Sequence, residues 1–335
     1  MPHSMSADFE DFRTEYDVGG IERLETFPKF VQIETVSGCN ARCRMCSVND
    51  WARSKSVMSE ALFAKLLVEL ASRRDWVEQV TLQLGGEPLL DRRLEDRVAA
   101  LKQAGIRSVA FTTNASLLDE ARSQRLLEAG VDAIDFSIDG ASAETFEAIR
   151  VNLSYAEVRD NVLRFVAMRN AAGRAVQVRV RMVIQQNNAH ELDAFVSYWR
   201  SQLGSNDYVI GRFLNWWAGW RDDLATVPGD LLHQKPPSAD INSLPCLAPF
   251  STLVILSDGR VPLCCLDYNA DTPMGSVVES GIAGVWQGEA FRKVRAEHRA
   301  RGRASMPFCR DCHIFASGSG FDFRGTGRLS KQAFE

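Results

Sequence analysis

The sequence predicts an α/β chain: a partial (β/α)6, TIM-like barrel followed by a small α+β module. Three observations carry this reading. Strand-like and helix-like segments alternate from Phe30 to Leu214, and such repeated units imply right-handed crossovers and a parallel sheet. Glycines, amides and short polar runs gather where the strands end. After residue 221 the texture changes, with prolines first and a second group of cysteines later. A flat doubly wound sheet is the alternative to the barrel.

The elements follow in order. Residues 1–28 carry no strong pattern and read as a lead-in covering one end of the fold. Val31 to Val36 is the first strand. Ser59 to Arg73 is helical, with Ser59 as its N-cap. Gln79 to Leu84 is the second strand and ends in Gly85-Gly86-Glu87-Pro88. Arg93 to Ala104 is a helix with Leu94, Val98 and Leu101 on one face and Gly105 after its end. Val109 to Asn114 is the third strand, and Asp119 to Ala129 a helix closed by Gly130. Ala133 to Gly140 is the fourth strand and its turn. Tyr155 to Asn170 is helical, with Val158, Val162, Phe165 and Val166 inward. Val176 to Ile184 is the fifth strand. Asn188 to Leu203 is a helix, with Leu192, Phe195, Trp199 and Leu203 inward, and Tyr208 to Leu214 is the sixth strand.

Residues 29–220 thus form the barrel and 221–245 a linker punctuated by Val227-Pro228-Gly229, Lys235-Pro236-Pro237-Ser238 and Leu244-Pro245. Residues 246–335 form the second module. There Leu253 to Leu256 and Arg260 to Leu263 flank Ser257-Asp258-Gly259 and read as a β-hairpin. Gly284 to Arg301 reads as one helix, Cys309-Arg310-Asp311-Cys312 follows it, and the tail from Ala316 is glycine-rich.

Composition excludes several classes. An apolar share of 45% with 24% charged residues is that of an ordinary globule with ample core. A net charge of −4 gives no reason to expect nucleic acid or an anionic membrane as partner. No apolar run reaches the ~18 residues a membrane helix needs. The acidic, polar start lacks the basic and apolar parts of a signal peptide, so the expected location is cytoplasmic. In a reducing compartment, clustered cysteines read as metal ligands before disulfides.

In either sheet layout ligands sit at the C-terminal ends of the strands, and the unusual residues fall on that rim. The loop after the first strand holds Cys39, Cys43 and Cys46, three of the chain's eight cysteines. Three thiolates on one loop suit an iron–sulfur cluster, leaving one iron of a [4Fe–4S] cube open. Zinc is the alternative, but it wants four ligands and no nearby His or Cys completes the set. Gly85-Gly86-Glu87-Pro88 follows the second strand, Thr113-Asn114 ends the third, and Ser137-Ile138-Asp139-Gly140 ends the fourth. Gln185 to Asn188 ends the fifth, and Asn215-Trp216-Trp217 the sixth.

On these motifs the chain resembles the radical S-adenosylmethionine (SAM) enzymes over residues 29 to about 215. The family spacing is Cys-x3-Cys-x2-Cys, with Met45 in the bulky position before the last cysteine. The resemblance implies that the open iron chelates the amino and carboxylate groups of SAM. One electron from the reduced cluster then yields a 5′-deoxyadenosyl radical that abstracts a substrate hydrogen. It further implies that Gly85, Gly86, Glu87 and Pro88 approach the methionine amino group, with Glu87 accepting from it or bracing the loop. Ser137 and Asp139 match ribose contacts; Thr113, Asn114 and Arg179 or Arg181 match less sharply.

Cys246-x12-Gly259-x4-Cys264, followed by Cys309-x2-Cys312, resembles the SPASM/twitch extension of such enzymes. This implies one auxiliary [4Fe–4S] cluster held by Cys246, Cys264, Cys309 and Cys312; a four-thiolate zinc site fits the same spacings. Cys265 is left over. On a strand it points away from Cys264, so it is either a small buried apolar residue or a hydrogen-atom donor of the kind used by radical epimerases.

Asn215, Trp216, Trp217 and Trp220 are candidates for the substrate cavity wall. Asp222, Asp223, Asp267 and Tyr268 are candidate bases or substrate binders. The five histidines are scattered and form no nucleophilic triad. Only about 28 residues precede the first strand, too few for a peptide-recognition domain, which favours a small polar substrate over a peptide. Relatives of this layout include 2-deoxy-scyllo-inosamine dehydrogenase and other sugar or aminocyclitol alcohol oxidases. The expected reaction is therefore oxidation of a carbohydrate or aminocyclitol alcohol, with a flavodoxin or ferredoxin as reductant. Epimerisation through Cys265 and peptide modification are the enzymatic alternatives. An iron–sulfur redox sensor is the non-enzymatic one, and the Gly85-Gly86-Glu87-Pro88 motif argues against it.

Overall fold

The computed structural model describes residues 21–213, 245–310 and 312. Its centre is a seven-stranded sheet. Along the chain the strands are β1 (Phe30–Ile33), β3 (Gln79–Thr81), β4 (Ser108–Thr113), β5 (Ala133–Ser137), β7 (Gln177–Ile184), β8 (Tyr208–Phe213) and β9 (Thr252–Ile255). Their spatial order is β8-β7-β5-β4-β3-β1-β9, and every neighbouring pair is parallel. All seven C-terminal ends therefore share one rim. A two-stranded ribbon, β2 (Arg42–Cys43) with β6 (Arg150–Val151), lies outside the sheet, as does the pair β10 (Arg260–Pro262) and β11 (Pro273–Ser276).

The helices are α1 (Ile21–Leu24), α2 (Glu60–Ser72), α3 (Leu94–Gln103), α4 (Glu120–Ala129), α5 (Ala143–Ile149), α6 (Tyr155–Ala171), α7 (Leu192–Gln202), α8 (Ala248–Ser251), α9 (Val277–Trp286) and α10 (Glu289–Arg301). Local chemistry sets their starts. Ser59, Asp119, Ser142 and Ser154 each accept a backbone N–H of the first turn through the side chain, a cap worth about 1 kcal/mol. Gly130 closes α4 in the left-handed region, at φ 82°.

Strand alternation sorts the two faces of the sheet. Val31, Val80, Phe111, Phe136 and Val180 join Leu66, Val98, Phe165 and Trp199 of the helices in one continuous core. Each such side chain contributes roughly 1.5–3 kcal/mol by leaving water. Residues of the other parity, including Gln32, Thr81, Thr112 and Ser137, are only partly covered. That face is the open inside of the barrel.

Three expectations are corrected. Leu253 to Leu256 does not pair with Arg260 to Leu263 as a hairpin. A turn does close there, with Leu256 N–H donating to Arg260 O at 2.9 Å, but β9 joins the barrel sheet beside β1 while β10 pairs with β11. A strand buried along its whole length suits a parallel strand covered on both faces better than a half-exposed ribbon. The helix expected over Gly284 to Arg301 is two helices, broken at Gln287-Gly288. Finally, α5 was not anticipated, since seven residues over the pair Phe146 and Ile149 give too short a period to read.

Candidate active site and cluster-binding loops

The loop after β1 leaves the sheet and returns to it. Ser37 N–H donates to Ser56 O at 2.9 Å and Met58 N–H to Thr35 O at 2.8 Å, so residues 37–56 form an excursion closed at its base. Cys39, Cys43 and Cys46 lie on it, Cys43 buried and the others partly so. Cys46 N–H donates to Cys43 O at 3.0 Å, folding the second half of the motif into a turn. Burial pushes the Cys39 thiol up to about 11, and the Glu87, Cys43 and Cys46 charges push the same way. Burial also raises Cys43, while the Arg150 guanidinium pulls it down.

Gly85-Gly86-Glu87-Pro88 packs against this excursion. A Cβ on Gly86 would stand 2.1 Å from Val36 O and 2.8 Å from Gly38 O, so only glycine fits there. One on Gly85 would meet the Trp51 ring at 2.2 Å. Glu87 N–H donates to Gly38 O at 2.8 Å. The Glu87 carboxylate accepts from Thr113 Oγ1 (2.6 Å), Leu89 N–H (3.0 Å) and Asn114 N–H (2.8 Å). It braces the ends of β3 and β4 against each other. Burial raises its pKa and these donors hold it down. Asn114 in turn donates from Nδ2 to Asn40 Oδ1 at 3.0 Å, beside Cys39.

On the opposite side of the loop stands Arg150. Its Nη1 donates to Cys43 Sγ at 3.7 Å, and its Nε donates to Asp139 Oδ2 at 2.7 Å. Asp139 is fully buried, and its other oxygen accepts from Val183 N–H at 2.7 Å. Burial raises the Asp139 pKa and Arg150 lowers it. For Arg150, burial works to lower the pKa, but Asp139 and Cys43 outweigh it and the guanidinium stays charged.

The later cysteines form a second group. Burial pushes Cys246 up to about 11 and Cys309 up to about 12, with Cys312 raising both and Cys246 raising Cys309. Cys265 is pushed up to about 12 by burial and then by Cys312 and Cys246. Cys264 is raised by burial and by Cys265, Cys246 and Cys312. Five thiols are thus neighbours, where four were expected. β10 ends at Pro262, and Cys264 and Cys265 lie in a turn closed by Asp267 N–H donating to Cys264 O at 3.1 Å. The strand geometry that was expected to point Cys265 away does not apply.

Among the described residues no three Cys, His, Asp or Glu side chains converge tightly enough to close on one metal ion.

Two family models match the chain: the radical SAM superfamily over residues 33–195, and the SPASM iron–sulfur cluster-binding domain over residues 246–313. The chain is a radical SAM protein with a SPASM domain. Each match falls on one of the two thiol sets; the radical SAM domain implies a [4Fe–4S] cluster with SAM, and the SPASM domain auxiliary iron–sulfur binding.

Among curated relatives, a tungsten-containing aldehyde ferredoxin oxidoreductase cofactor-modifying protein of Pyrococcus furiosus is 26% identical over 56% of this chain and 52% of its own length. A probable GTP 3′,8-cyclase of Saccharolobus islandicus is 31% identical over 50% and 52%. The chain spans about half the length of these relatives. Among solved structures, BtrN in complex with AdoMet and 2-DOIA covers 85% of this chain and 92% of its own, at 19% identity and TM-score 0.53. SuiB of Streptococcus suis bound to precursor peptide SuiA covers 85% and 69%, at 14% and 0.62. Native anSMEcpe with bound AdoMet covers 79% and 82%, at 16% and 0.59. These likenesses concern the fold.

In this radical SAM barrel the expected site residues fall as follows. Glu87, Thr113 and Asn114 form one hydrogen-bonded unit with the cysteine loop, Gly85 and Gly86 pack closely against it, and Pro88 opens the short 3-10 turn that follows. Ser137 ends β5 opposite Arg181 of β7. Asp139 meets the site through Arg150. Asp267 is fully buried and its carboxylate accepts from the Leu263, Asp271 and Thr272 N–H groups, so it braces the Cys264–Cys265 turn and is not free to act as a base. Tyr268 is buried and stacks on Trp51 with ring centroids 5.4 Å apart. Asp222, Asp223, Asn215, Trp216, Trp217 and Trp220 lie outside the described residues.

Several residues at the site were missed. Asp135 pairs with Arg179 and, at 3.4 Å, with Arg181, placing a charged layer on the inner face of β5 and β7. Asp-x-Ser and Arg-x-Arg at spacing two on adjoining strands were the available signal. Glu34 and Arg53 form a buried ion pair that also takes Ser257 N–H at 3.2 Å. His298 is buried and its Nδ1 accepts from Cys246 N–H at 3.0 Å. Arg150 follows the unanticipated α5 and had no element to place it.

Among the described residues no helix is long and apolar enough to cross a membrane.

Proposed function

We propose that the protein oxidises an alcohol carbon of a small polar substrate, of the carbohydrate or aminocyclitol class, to a ketone. Cys39, Cys43 and Cys46 would hold the SAM-binding cluster, and Cys246, Cys264, Cys309 and Cys312 the auxiliary one. When bound, these groups supply a carbon-centred radical that takes the carbinol hydrogen and an acceptor for the electron left behind. The hydroxyl proton goes to a base, and a flavodoxin or ferredoxin supplies the reducing electron.

The chain's own residues bind and orient. Gly86 lets the SAM-binding loop lie on the backbone of the cysteine loop. Arg181, with 28% of its side chain exposed and Asp135 beside it, offers N–H donors to hydroxyl oxygens. Gln32, Thr112 and Ser137 extend that polar layer, which suits a polyol better than an apolar side chain.

The observation that carries this reading is the placement of the auxiliary thiols. Cys265 packs on Leu84, Val254 and Leu256, directly beside Gly85 at the barrel mouth. An electron acceptor held there adjoins the place where a substrate radical forms. Cys265 sits among the auxiliary thiols, in the turn with Cys264, a position that suits a cluster-facing thiol and so weighs against the epimerase reading. The mutual coverage with BtrN, 85% and 92%, also supports the small-substrate layout. A peptide substrate is the second reading, favoured by the higher TM-score of SuiB, 0.62.

The test uses reduced, anaerobic holoprotein with SAM and polyols or aminocyclitols deuterated at the carbinol carbons. Deuterium in 5′-deoxyadenosine, with a product two hydrogens poorer than its substrate, is expected. Deuterium transfer with a product of unchanged composition means epimerisation, and transfer only from peptides selects the second reading.

A further inference from the structure

The geometry points to Arg150 as the residue that sets the reduction potential at the SAM-binding cluster, acting through the Cys43 sulfur. The inference rests on the reading that Cys39, Cys43 and Cys46 ligate that cluster. Arg150 itself touches neither substrate nor SAM in this assignment; it is a positioning residue.

The aim of the guanidinium is fixed from two sides. On one, β2 and β6 pair antiparallel with Cys43 opposite Arg150, and Arg44 N–H donates to Ile149 O at 3.0 Å. The cysteine loop and the arginine therefore share a backbone ladder. On the other, Nε and Nη2 both lie 2.7 Å from Asp139 Oδ2. Asp139 is itself immobile. Its Oδ1 takes Val183 N–H, and Asn188, fully buried, donates from Nδ2 to Asp139 O at 3.0 Å and to Val183 O at 2.9 Å. What remains free to point elsewhere is Nη1, and it points at Cys43 Sγ, 3.7 Å away.

The pair as a whole is neutral but directed. Its positive end lies at the sulfur and its negative end is turned away toward β7. Reduction adds one electron to a thiolate-ligated cluster that is already negative. An N–H donor and a positive charge at a ligand sulfur stabilise that added charge and raise the potential. Stability alone gives no reason to keep the pair, because buried ion pairs are often replaceable by apolar groups at no loss. At this site the potential decides how readily a physiological reductant can load the cluster.

The test is a redox titration of the full chain, reconstituted anaerobically and followed by electron paramagnetic resonance on the signal that changes shape when SAM is added. The paired variant Asp139→Asn/Arg150→Gln keeps a neutral, hydrogen-bonded pair and removes the charge at Cys43. It is expected to reduce about tenfold less favourably, a fall of about 59 mV for one electron. Arg150→Lys keeps the charge but loses the planar fork, and its potential falls between the two. An unchanged potential in the paired variant overturns the inference. So does loss of its signal together with a wild-type potential in Arg150→Lys. Absence of any SAM-responsive signal in the wild type overturns the cluster reading and the inference with it.

Discussion

Gly86 carries the sharpest steric constraint at the site. The two carbonyls that a Cβ would strike belong to Val36 and Gly38, which are backbone and cannot rotate aside. Gly86→Ala is expected to separate the proposed SAM-binding loop from the cysteine loop and weaken SAM binding about tenfold or more, ~1.4 kcal/mol. Equilibrium dialysis on anaerobic holoprotein reads this directly, and wild-type affinity in the variant removes the close-approach argument. Gly85→Ala is milder, because the Trp51 ring it meets can move. His298 gives a pH signature. Burial, then Arg303, lowers its pKa from 6.5 to about 4, so it is neutral in the fold and protonated in the unfolded chain between those values. The unfolded state binds the extra proton there, so stability falls as pH drops from about 6.5 to about 4, by a total of ~3 kcal/mol. His298→Gln flattens that part of the denaturation profile; a profile unchanged by the substitution contradicts the assignment.

At the scale of elements, Glu34 ties three loops together. It ends β1, accepts from Ser257 N–H and Oγ after β9, and pairs with Arg53, which donates to Tyr268 O in the loop after the auxiliary cysteines. Glu34→Gln leaves the Arg53 charge without its buried counter-ion and is expected to cost about 3–5 kcal/mol. Adding Arg53→Met recovers most of that loss in calorimetry; no recovery means the pair is not the unit. The Cys264–Cys265 turn makes a further prediction. Cys264→Ala lowers the iron content and Cys265→Ala does not, by iron analysis; the reverse result assigns the ligand to Cys265.

Much of this was legible in the sequence. The β–α alternation is strong because each strand is apolar on the helix-facing side and each helix shows its 3.6-residue stripe. The cysteine and glycine motifs fall where those strands end. Arg150 was not legible, because a seven-residue helix precedes it and its partner Asp139 looks like a turn residue. Nor was the Glu34–Arg53 pair, whose members are 19 residues apart on a loop without period. Cys264 and Cys265 were misjudged because a strand that ends at Pro262 was extended three residues too far.

For the whole molecule, β9 is the decisive element. It returns the chain from the SPASM side into the barrel sheet, in register with β1 from Phe30↔Thr252 to Ile33↔Ile255. The auxiliary cysteines therefore start from the same rim as Cys39, Cys43 and Cys46. The two thiol sets thus flank neighbouring strands of one sheet, the arrangement the proposed coupling of radical formation to electron removal requires. The central claim is that the first set alone starts the radical. It is tested by 5′-deoxyadenosine release from reduced, anaerobic holoprotein supplied with SAM. Release is expected from the wild type and from Cys309→Ala/Cys312→Ala, and is expected to vanish in Cys43→Ala. No release from the wild type, or release from Cys43→Ala at the wild-type rate, contradicts the account.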